Sequence, residues 1–250
     1  MATAQLDGER AGELIAQRAR ASKMKSFFRD RGVWLAAVVA IMFTISLLQS
    51  GVSYTMAFGS LRAFLPRDRS TITTVLVTLR FGLVALMAAL WLVRRKHALF
   101  VCIIFANALC TLALLIHTSG LIAVLFGGAS EAVDALLLDV VLMASANILI
   151  FSVWYWIIDP PGVGDVPRAD EPWDFLFPQR AGSIPHYESW VPRYGDYLFL
   201  AFNTSFSFSP TDAPPLTRRA KAIMLLQALI SVVTLTAIAG SAINILAGAK

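Results

Sequence analysis

The fold class follows from residues 133–158, VDALLLDVVLMASANILIFSVWYWII, a run in which Asp134 and Asp139 are the only charged side chains. A helix of this length rises about 39 Å, more than the hydrocarbon core of a bilayer, which is about 30 Å thick. Trp154, Tyr155 and Trp156 close the run, and such rings favour the headgroup level. The stretch therefore predicts a helix that crosses a membrane.

Four further apolar runs accompany this one. They cover residues 33–48 with an extension toward Met56, then 71–93, 98–116 and 222–246. Residues 121–126 are too short to cross alone, so they either lengthen a tilted third helix or lie at the interface. Of the whole chain 15% is charged, whereas soluble domains carry about 25%. We therefore expect an all-α membrane protein, a helical bundle with about five full transmembrane helices.

A proline-rich segment separates the last span from the others, because ten of the eleven prolines lie between Pro160 and Pro215. The apolar and aromatic residues 194–208 rise only about 22 Å as a helix, so we expect a short re-entrant or half-spanning helix there. The predicted parts are a polar basic amino-terminal tail (1–32), a four-span bundle (33–158), a proline-rich extramembrane loop (159–193), and the re-entrant segment with the final transmembrane helix (194–250).

Basic residues predict the orientation. With the amino terminus inside, sixteen Lys and Arg residues lie on the inner side and four, Arg62, Arg67, Arg69 and Lys250, on the outer side. Positive charge collects in the loops of the cytoplasmic side. We therefore expect a multi-pass protein of a bacterial inner membrane with a cytoplasmic amino terminus.

Other classes of function lack their signals. Basic residues cluster beside apolar runs and form no stripe with aromatic residues, so no nucleic-acid partner is expected. Cys102, Cys110 and the three histidines show no metal-ligand spacing, and we expect no metal and no cofactor. Ser183, His186 and Asp196 share one loop without the spacing of any catalytic motif. We expect no catalytic residue and no enzyme activity.

Two charged residues stand within the predicted spans. Arg80 lies nine residues into the second span, and Asp139 lies six residues into the fourth. Both spans start on the same side of the membrane, so the two charges have similar depths of about 9 to 14 Å. An intramembrane ion pair between Arg80 and Asp139 would offset part of the desolvation cost of each. Such a pair could orient the bundle or take part in an ion or proton path. In the remaining alternative, Arg80 forms no pair and extends its charge toward the membrane surface.

The last hundred residues carry a family resemblance. Its motifs are Asn147 and Phe151 with Trp154-Tyr155-Trp156, then Asp174-Phe175-Leu176-Phe177-Pro178-Gln179, then Asp196-Tyr197-Leu198, Phe206-Ser207-Phe208-Ser209-Pro210-Thr211-Asp212, Leu216, Arg218, Lys221, Gln227, Asn244 and Leu246. With these the chain resembles a family of uncharacterised bacterial multi-pass integral membrane proteins. The family implies the membrane fold but no activity. Ile157 departs from its pattern, in which an acidic residue is usual at that place.

The same part is more distantly similar to the pore helix, filter and inner helix of the potassium-channel superfamily. The similarity aligns Phe202, Thr204, Asp212 and Pro215 with channel positions. The filter glycines fall on Ser209 and Thr211, and the filter tyrosine falls on Pro210. Glycine lets successive carbonyls point at the ion, whereas proline restricts the backbone. A potassium-selective filter is therefore not expected, and a pore loop entering from outside would also require an outside amino terminus.

The residues that occupy the filter region are the pore-loop candidates. They are Asn203, Thr204, Ser205, Ser207, Ser209, Thr211 and Asp212. Because they alternate with Phe206 and Phe208, an extended backbone would turn hydroxyls and rings to opposite sides. Asp212 either lies at an aqueous mouth or caps a turn before Pro214.

Two hypotheses of function remain from the sequence. In the first, the chain is a polytopic membrane protein with a pore-loop-like carboxyl-terminal unit, and it forms a weakly selective ion channel, as a homo-oligomer or alone. In the second, it is a non-conducting membrane adaptor that binds a protein partner through residues 159–193. The lipid bilayer is a partner in both.

Overall fold

The computed structural model describes residues 33–58, 69–126, 133–159, 173–181, 184–187, 190–207 and 213–248. Within these ranges the chain is helical and has no strand, and one isolated bridge pairs Phe175 with Pro215. The helices are α1 (Val33–Phe58), α2 (Arg69–Leu92), α3 (Lys96–Phe126), α4 (Val133–Ile158), α5 (Pro178–Ala181), α6 (Tyr194–Ser207) and α7 (Arg218–Gly248). The predicted amino-terminal tail, residues 1–32, lies outside the described residues.

Five of the described helices, α1, α2, α3, α4 and α7, are long and apolar enough to cross a membrane. Helix α6 has 14 residues, so it rises only about 21 Å and is shorter than the hydrocarbon core. The prediction of an all-α membrane bundle with five spans and one short helix is confirmed. The chain is a polytopic membrane protein.

Helices α2 and α3 are joined by a tight turn at Arg94. Its φ of 63° lies in the left-handed region, which commonly ends a helix. The amide of Arg94 donates to the carbonyl of Trp91 at 3.2 Å, and the amide of Arg95 donates to Leu90 at 3.1 Å. These two bonds satisfy carbonyls at the end of α2. Helix α3 then runs without interruption to Phe126, so residues 121–126 lengthen the third span.

Helix α4 lies at the centre of the bundle and packs against α1, α3, α6 and α7. Its fully buried side chains include Val140, Ala146, Ile150 and Val153. Large apolar side chains on the outer faces of the bundle are exposed, among them Phe43, Leu86, Phe105, Leu138 and Leu225. In a bilayer this outer surface is solvated by lipid tails, so its apolar character is what the solvent requires.

Helix α2 lies at the edge of the bundle, against α1 and α3. Among its described side chains only Arg80 and Met87 are buried. These two are one heptad apart, so they lie on the same face of the helix. Arg80 is therefore the polar side chain through which α2 contacts the interior.

Candidate functional site

Helices α4, α6 and α7 form a re-entrant unit. The guanidinium of Arg219, at the start of α7, donates to the carbonyl of Ile158, the last residue of α4, at 3.3 Å. The end of α4 and the start of α7 therefore lie on one face of the bundle. The described residues 173–177 and 213–217 lie at that face, and α6 packs against both helices. Helix α6 therefore does not cross the bundle.

A buried amide fixes the inner half of α6. Gln227 is fully buried nine residues into α7, about 14 Å from the start of that helix. Its Nε2 donates to the carbonyl of Ala201 at 2.8 Å and to Oγ of Ser205 at 2.7 Å. Its Oε1 accepts a hydrogen bond from the hydroxyl of Tyr155. One side chain thus joins α4, α6 and α7 inside the unit.

The outer half of α6 is held by Asp159, which follows α4 and is fully buried. Its carboxylate accepts from the amides of Asp174 and Phe175 at 2.9 and 3.2 Å, from Arg180 at 2.9 Å, and from the hydroxyl of Tyr197 at 2.7 Å. Burial raises the pKa of the Asp159 carboxyl, while the Tyr197 hydroxyl, the Arg180 charge and the two amides act in the opposite direction. The four donors satisfy a carboxylate that would otherwise be costly to bury.

A second buried carboxylate, that of Asp174, binds the described part of the proline-rich loop to α7. Arg219 approaches it with Nε at 2.8 Å and Nη2 at 2.6 Å, one to each oxygen. Backbone bonds support this contact, from Leu216 to the Asp174 carbonyl at 2.8 Å and from Leu176 to the Pro214 carbonyl at 3.1 Å. Residues 173–177 therefore pack against the bundle.

The structure divides the pore-loop candidates. Thr204 and Ser205 are buried; the Thr204 hydroxyl donates to the Leu200 carbonyl at 2.8 Å, and Ser205 accepts from Gln227. Asn203 is half-buried and Ser207 is exposed. The remaining candidates, Ser209, Thr211 and Asp212, lie outside the described residues.

The predicted extended backbone is wrong for residues 203–207, because α6 is helical through Ser207. On a helix, positions three and four apart share a face. Phe199, Phe202 and Phe206 accordingly lie together on the exposed side, and the last two rings are 4.7 Å apart between centroids. The hydroxyls of Thr204 and Ser205 point into the subunit instead.

A cavity of about 190 Å³ lies beside α6. It is lined by Phe177, Pro178, Gln179, Asp196, Phe199, Leu200, Asn203 and Ala213. The buried Oε1 of Gln179 has no hydrogen-bond partner among the described residues. Asp196 also lines the cavity, and its Oδ2 accepts from the amide of Arg193 at 2.6 Å. This space therefore offers oxygen ligands at the face of the re-entrant unit.

The predicted ion pair between Arg80 and Asp139 is not formed. Arg80 donates from Nη1 to Oε1 of Gln49 at 2.7 Å and from Nη2 to Oγ of Ser53 at 3.3 Å. Asp139 accepts instead from the hydroxyl of Thr55 at 2.5 Å. Both charged groups therefore bond to neutral side chains of α1, and neither meets the other within ion-pair distance in the described part of the chain.

The partners of Arg80 extend into a buried polar cluster between α1, α2 and α3. Gln49 donates from Nε2 to the Cys110 carbonyl at 2.7 Å, and Ser53 shares a hydrogen bond of 3.1 Å with Nε2 of His117. Arg80, Gln49, Ser53 and His117 are each less than a tenth exposed. Polar side chains at membrane depth are costly, so a cluster of four marks a functional or packing site.

The sequence did contain a signal for this cluster that the analysis of charges missed. Ser46, Gln49, Ser50 and Ser53 occur at intervals of three, four and seven from the first, which places them on one helical face. In an apolar span, such a polar stripe indicates the face that meets other helices. Gln227 and Asp159 had no comparable periodic signal.

No protein-family model, curated protein or solved structure matches this chain. The resemblances drawn from the motifs therefore stay predictions. Two polar regions of the structure bear on function, the re-entrant unit and the cluster around Arg80.

Proposed function

We propose that this chain conducts monovalent cations with poor selectivity through the unit formed by α4, α6 and α7. The observation that carries the proposal is the short helix α6, which packs against α4 and α7 and is too short to cross a membrane. A short helix held between two spanning helices is an arrangement suited to a pore loop. Irregular backbone at membrane depth is tolerated where it is buried in protein or lines a watery cavity.

The charge preference follows from the ligands near the unit. The cavity beside α6 is lined by Asp196, Gln179 and Asn203, whose side chains contain a carboxylate and two amide oxygens. Asp212 and the hydroxyls of Ser209 and Thr211 belong to the stretch between α6 and α7. Carboxylate and neutral oxygen groups favour cations over anions in a conduction path. The buried carboxylates of Asp159 and Asp174 are bonded to arginines and are assigned to holding the unit together.

Poor discrimination between potassium and sodium follows from the residues at the filter place. Ser209, Pro210 and Thr211 stand where glycine and tyrosine would permit a row of carbonyls directed at one dehydrated ion. Proline fixes φ and lacks an amide proton, so a regular carbonyl row is disfavoured. A hydrated or partly hydrated ion would pass such a site with little selection.

A pore of this kind requires several copies around an axis, and the exposed face of α6 supports such an assembly. Phe199, Phe202 and Phe206 are about half exposed, and aromatic side chains are enriched at interfaces between proteins. In the proposed oligomer these rings lie between subunits. Thr204 and Ser205, which bond within the subunit, support the helix and do not line the path.

The test is ion flux from liposomes that contain the purified full-length chain. We expect a leak of similar size for potassium and sodium that is reduced at least severalfold in Asp212→Asn. Asp170→Asn is the matched control, because it removes the same charge from the proline-rich loop. Strong potassium selectivity would contradict the argument from the missing glycines, and absence of conductance at every voltage and pH would remove the proposal.

The adaptor hypothesis is favoured by a separate observation. Trp173, Ile184, Tyr187 and Val191 lie outside the spans and are 38 to 52% exposed. Such side chains suit a protein partner or the headgroup region. If the chain is an adaptor, it shows no ion flux. A photoreactive group at position 184 should then crosslink to a specific protein in cells, and the substitution Tyr187→Ser should abolish this adduct. Lipid adducts alone would assign these side chains to the membrane surface.

A further inference from the structure

Asp139 is the most isolated ionisable group in the bundle. Its side chain is 0% exposed, six residues into α4. Oδ1 accepts the hydroxyl of Thr55 at 2.5 Å, whereas Oδ2 has no hydrogen-bond partner among the described residues. Two other carboxylates that the structure describes as fully buried, those of Asp159 and Asp174, each have an arginine within 2.9 Å. Asp139 differs from them, because no cation of the described residues lies within ion-pair distance of it.

The titratable and charged groups around Asp139 are few. In the same half of the bundle, the described helices carry Tyr54 on α1, Arg69 and Arg80 on α2, Cys110 and His117 on α3, and Asp134 on α4, five residues before Asp139, while α7 has none after Lys221 up to its described end. Arg80 is held by Gln49 and Ser53. No hydrogen bond joins the side chain of Tyr54, Arg80, Cys110 or His117 to Asp139.

Neutral carboxylic acid is the form that such a site accommodates. An ionised carboxylate moved from water to an apolar interior without a paired charge costs far more than a neutral polar group. One hydroxyl donor compensates only part of that cost. In membrane proteins, isolated acidic side chains facing the bundle interior mark proton paths.

We propose that Asp139 is an intramembrane proton-binding site, with the proton on Oδ2 and the Thr55 hydroxyl bonded to Oδ1. On release, the Oδ2–H bond breaks, its electron pair stays on the carboxylate, and the proton passes to water. On uptake the same steps run in reverse. Exchange occurs toward the face where α1 ends and α4 begins, because Thr55 lies three residues from the end of α1 and Asp139 six from the start of α4.

The ligands of the site favour a proton over a metal cation. Gln49 and Ser53 bind the guanidinium of Arg80, which forms no ion pair with Asp139. Ser53 in turn shares its hydrogen bond with His117. Among the side chains that the structure describes, no second carboxylate contacts Asp139, and its Oδ2 has no partner. This arrangement suits a proton and does not provide the several oxygen ligands that a metal cation takes.

The test is infrared difference spectroscopy of the full-length chain in lipid nanodiscs. At neutral pH we expect the carbonyl stretch of a protonated carboxylic acid, absent from Asp139→Asn and retained in Asp159→Asn. Raising the pH should remove the band reversibly. Thr55→Val should shift its frequency, because the acid loses its one hydrogen bond.

Absence of a protonated carboxyl band at neutral pH would overturn the proposal, as would a band that persists in Asp139→Asn or does not respond to pH. If Asp139→Asn does not fold, two other shifts assign the band to Asp139. The band should move in Thr55→Val, and it should move in the chain labelled with carbon-13 aspartate. This result is independent of cation flux, so the proton site can fail while the pore proposal stands, and the reverse.

Discussion

Replacing Gln227 by leucine should destabilise the re-entrant unit. The substitution keeps an apolar side chain of similar size on α7 but removes the bonds to Ala201, Ser205 and Tyr155. Interhelical hydrogen bonds in membrane proteins contribute about 0.6 kcal/mol each on average. Three bonds therefore give an expected loss of about 2 kcal/mol in the free energy of unfolding.

The measurement is reversible unfolding in mixed detergent micelles, followed by helical circular dichroism. Leu225→Ala is the control, because this side chain is 62% exposed on the same helix. Tyr155→Phe removes one of the three bonds and should cost correspondingly less. Since Tyr155 and Gln227 share a bond, their combined effect should be less than additive. The reasoning would be refuted if Gln227→Leu lowered the free energy of unfolding no more than the control does. It would also be refuted if the effects of Gln227→Leu and Tyr155→Phe added in full.

Three further predictions concern the contact of Arg180 with Asp159, the cluster around Arg80, and the orientation of the chain in the membrane. Arg180→Ala should cost about 3 kcal/mol, because it leaves the buried Asp159 carboxylate without its cation; exposed Arg193→Ala should change the same unfolding measurement little. Arg80→Met should change the free energy of unfolding by no more than about 1 kcal/mol, because an apolar side chain replaces a buried charge. Gln49→Ala leaves the buried guanidinium without one of its acceptors and should lower the free energy of unfolding by about 1 to 3 kcal/mol. The opposite order in unfolding experiments would contradict this account of the Arg80 cluster. For orientation, a cysteine at position 5 of a chain without Cys102 and Cys110 should escape an impermeant reagent in intact cells, while one at position 250 should react; labelling at position 5 would reverse the topology.

The five spans could be predicted because crossing a bilayer is a local requirement on length and apolar character. Residues 133–158, with their closing aromatic residues, satisfy it without reference to the rest of the chain. The short helix at Tyr194 was predictable for the same reason, since its length falls below the hydrocarbon thickness. Its side-chain directions were not, because an extended backbone was assumed where the chain continues as a helix to Ser207.

The pairing of Arg80 with Asp139 was wrong for a geometric reason. Equal depth fixes a position along the membrane normal, but a contact also requires that two helix faces turn toward each other. Arg80 shares its face of α2 with Met87 and turns toward Gln49 and Ser53, while Asp139 turns toward Thr55. A single sequence gives depth and periodicity on each helix, and it does not give the rotation of one helix relative to the next.

Helix α4 shows why these polar side chains matter for a bundle in lipid. Lipid tails are as apolar as leucine, so apolar packing alone selects neighbours weakly, and polar bonds and close contacts have to specify them. Along α4 the polar side chains bond to different helices. Asp139 bonds to α1, and Asn147 bonds to Ser231 of α7 at 2.9 Å. Ser152 bonds to Tyr194 of α6 at 2.5 Å, and Trp154 bonds to Thr111 of α3 at 2.8 Å. Each face of α4 therefore has its own polar partner, which fixes its rotation. The carboxyl-terminal end of α4 places Tyr155 and Asp159 against the re-entrant unit, and its beginning places Asp139 beside Thr55, so α4 supplies buried groups to both proposed sites.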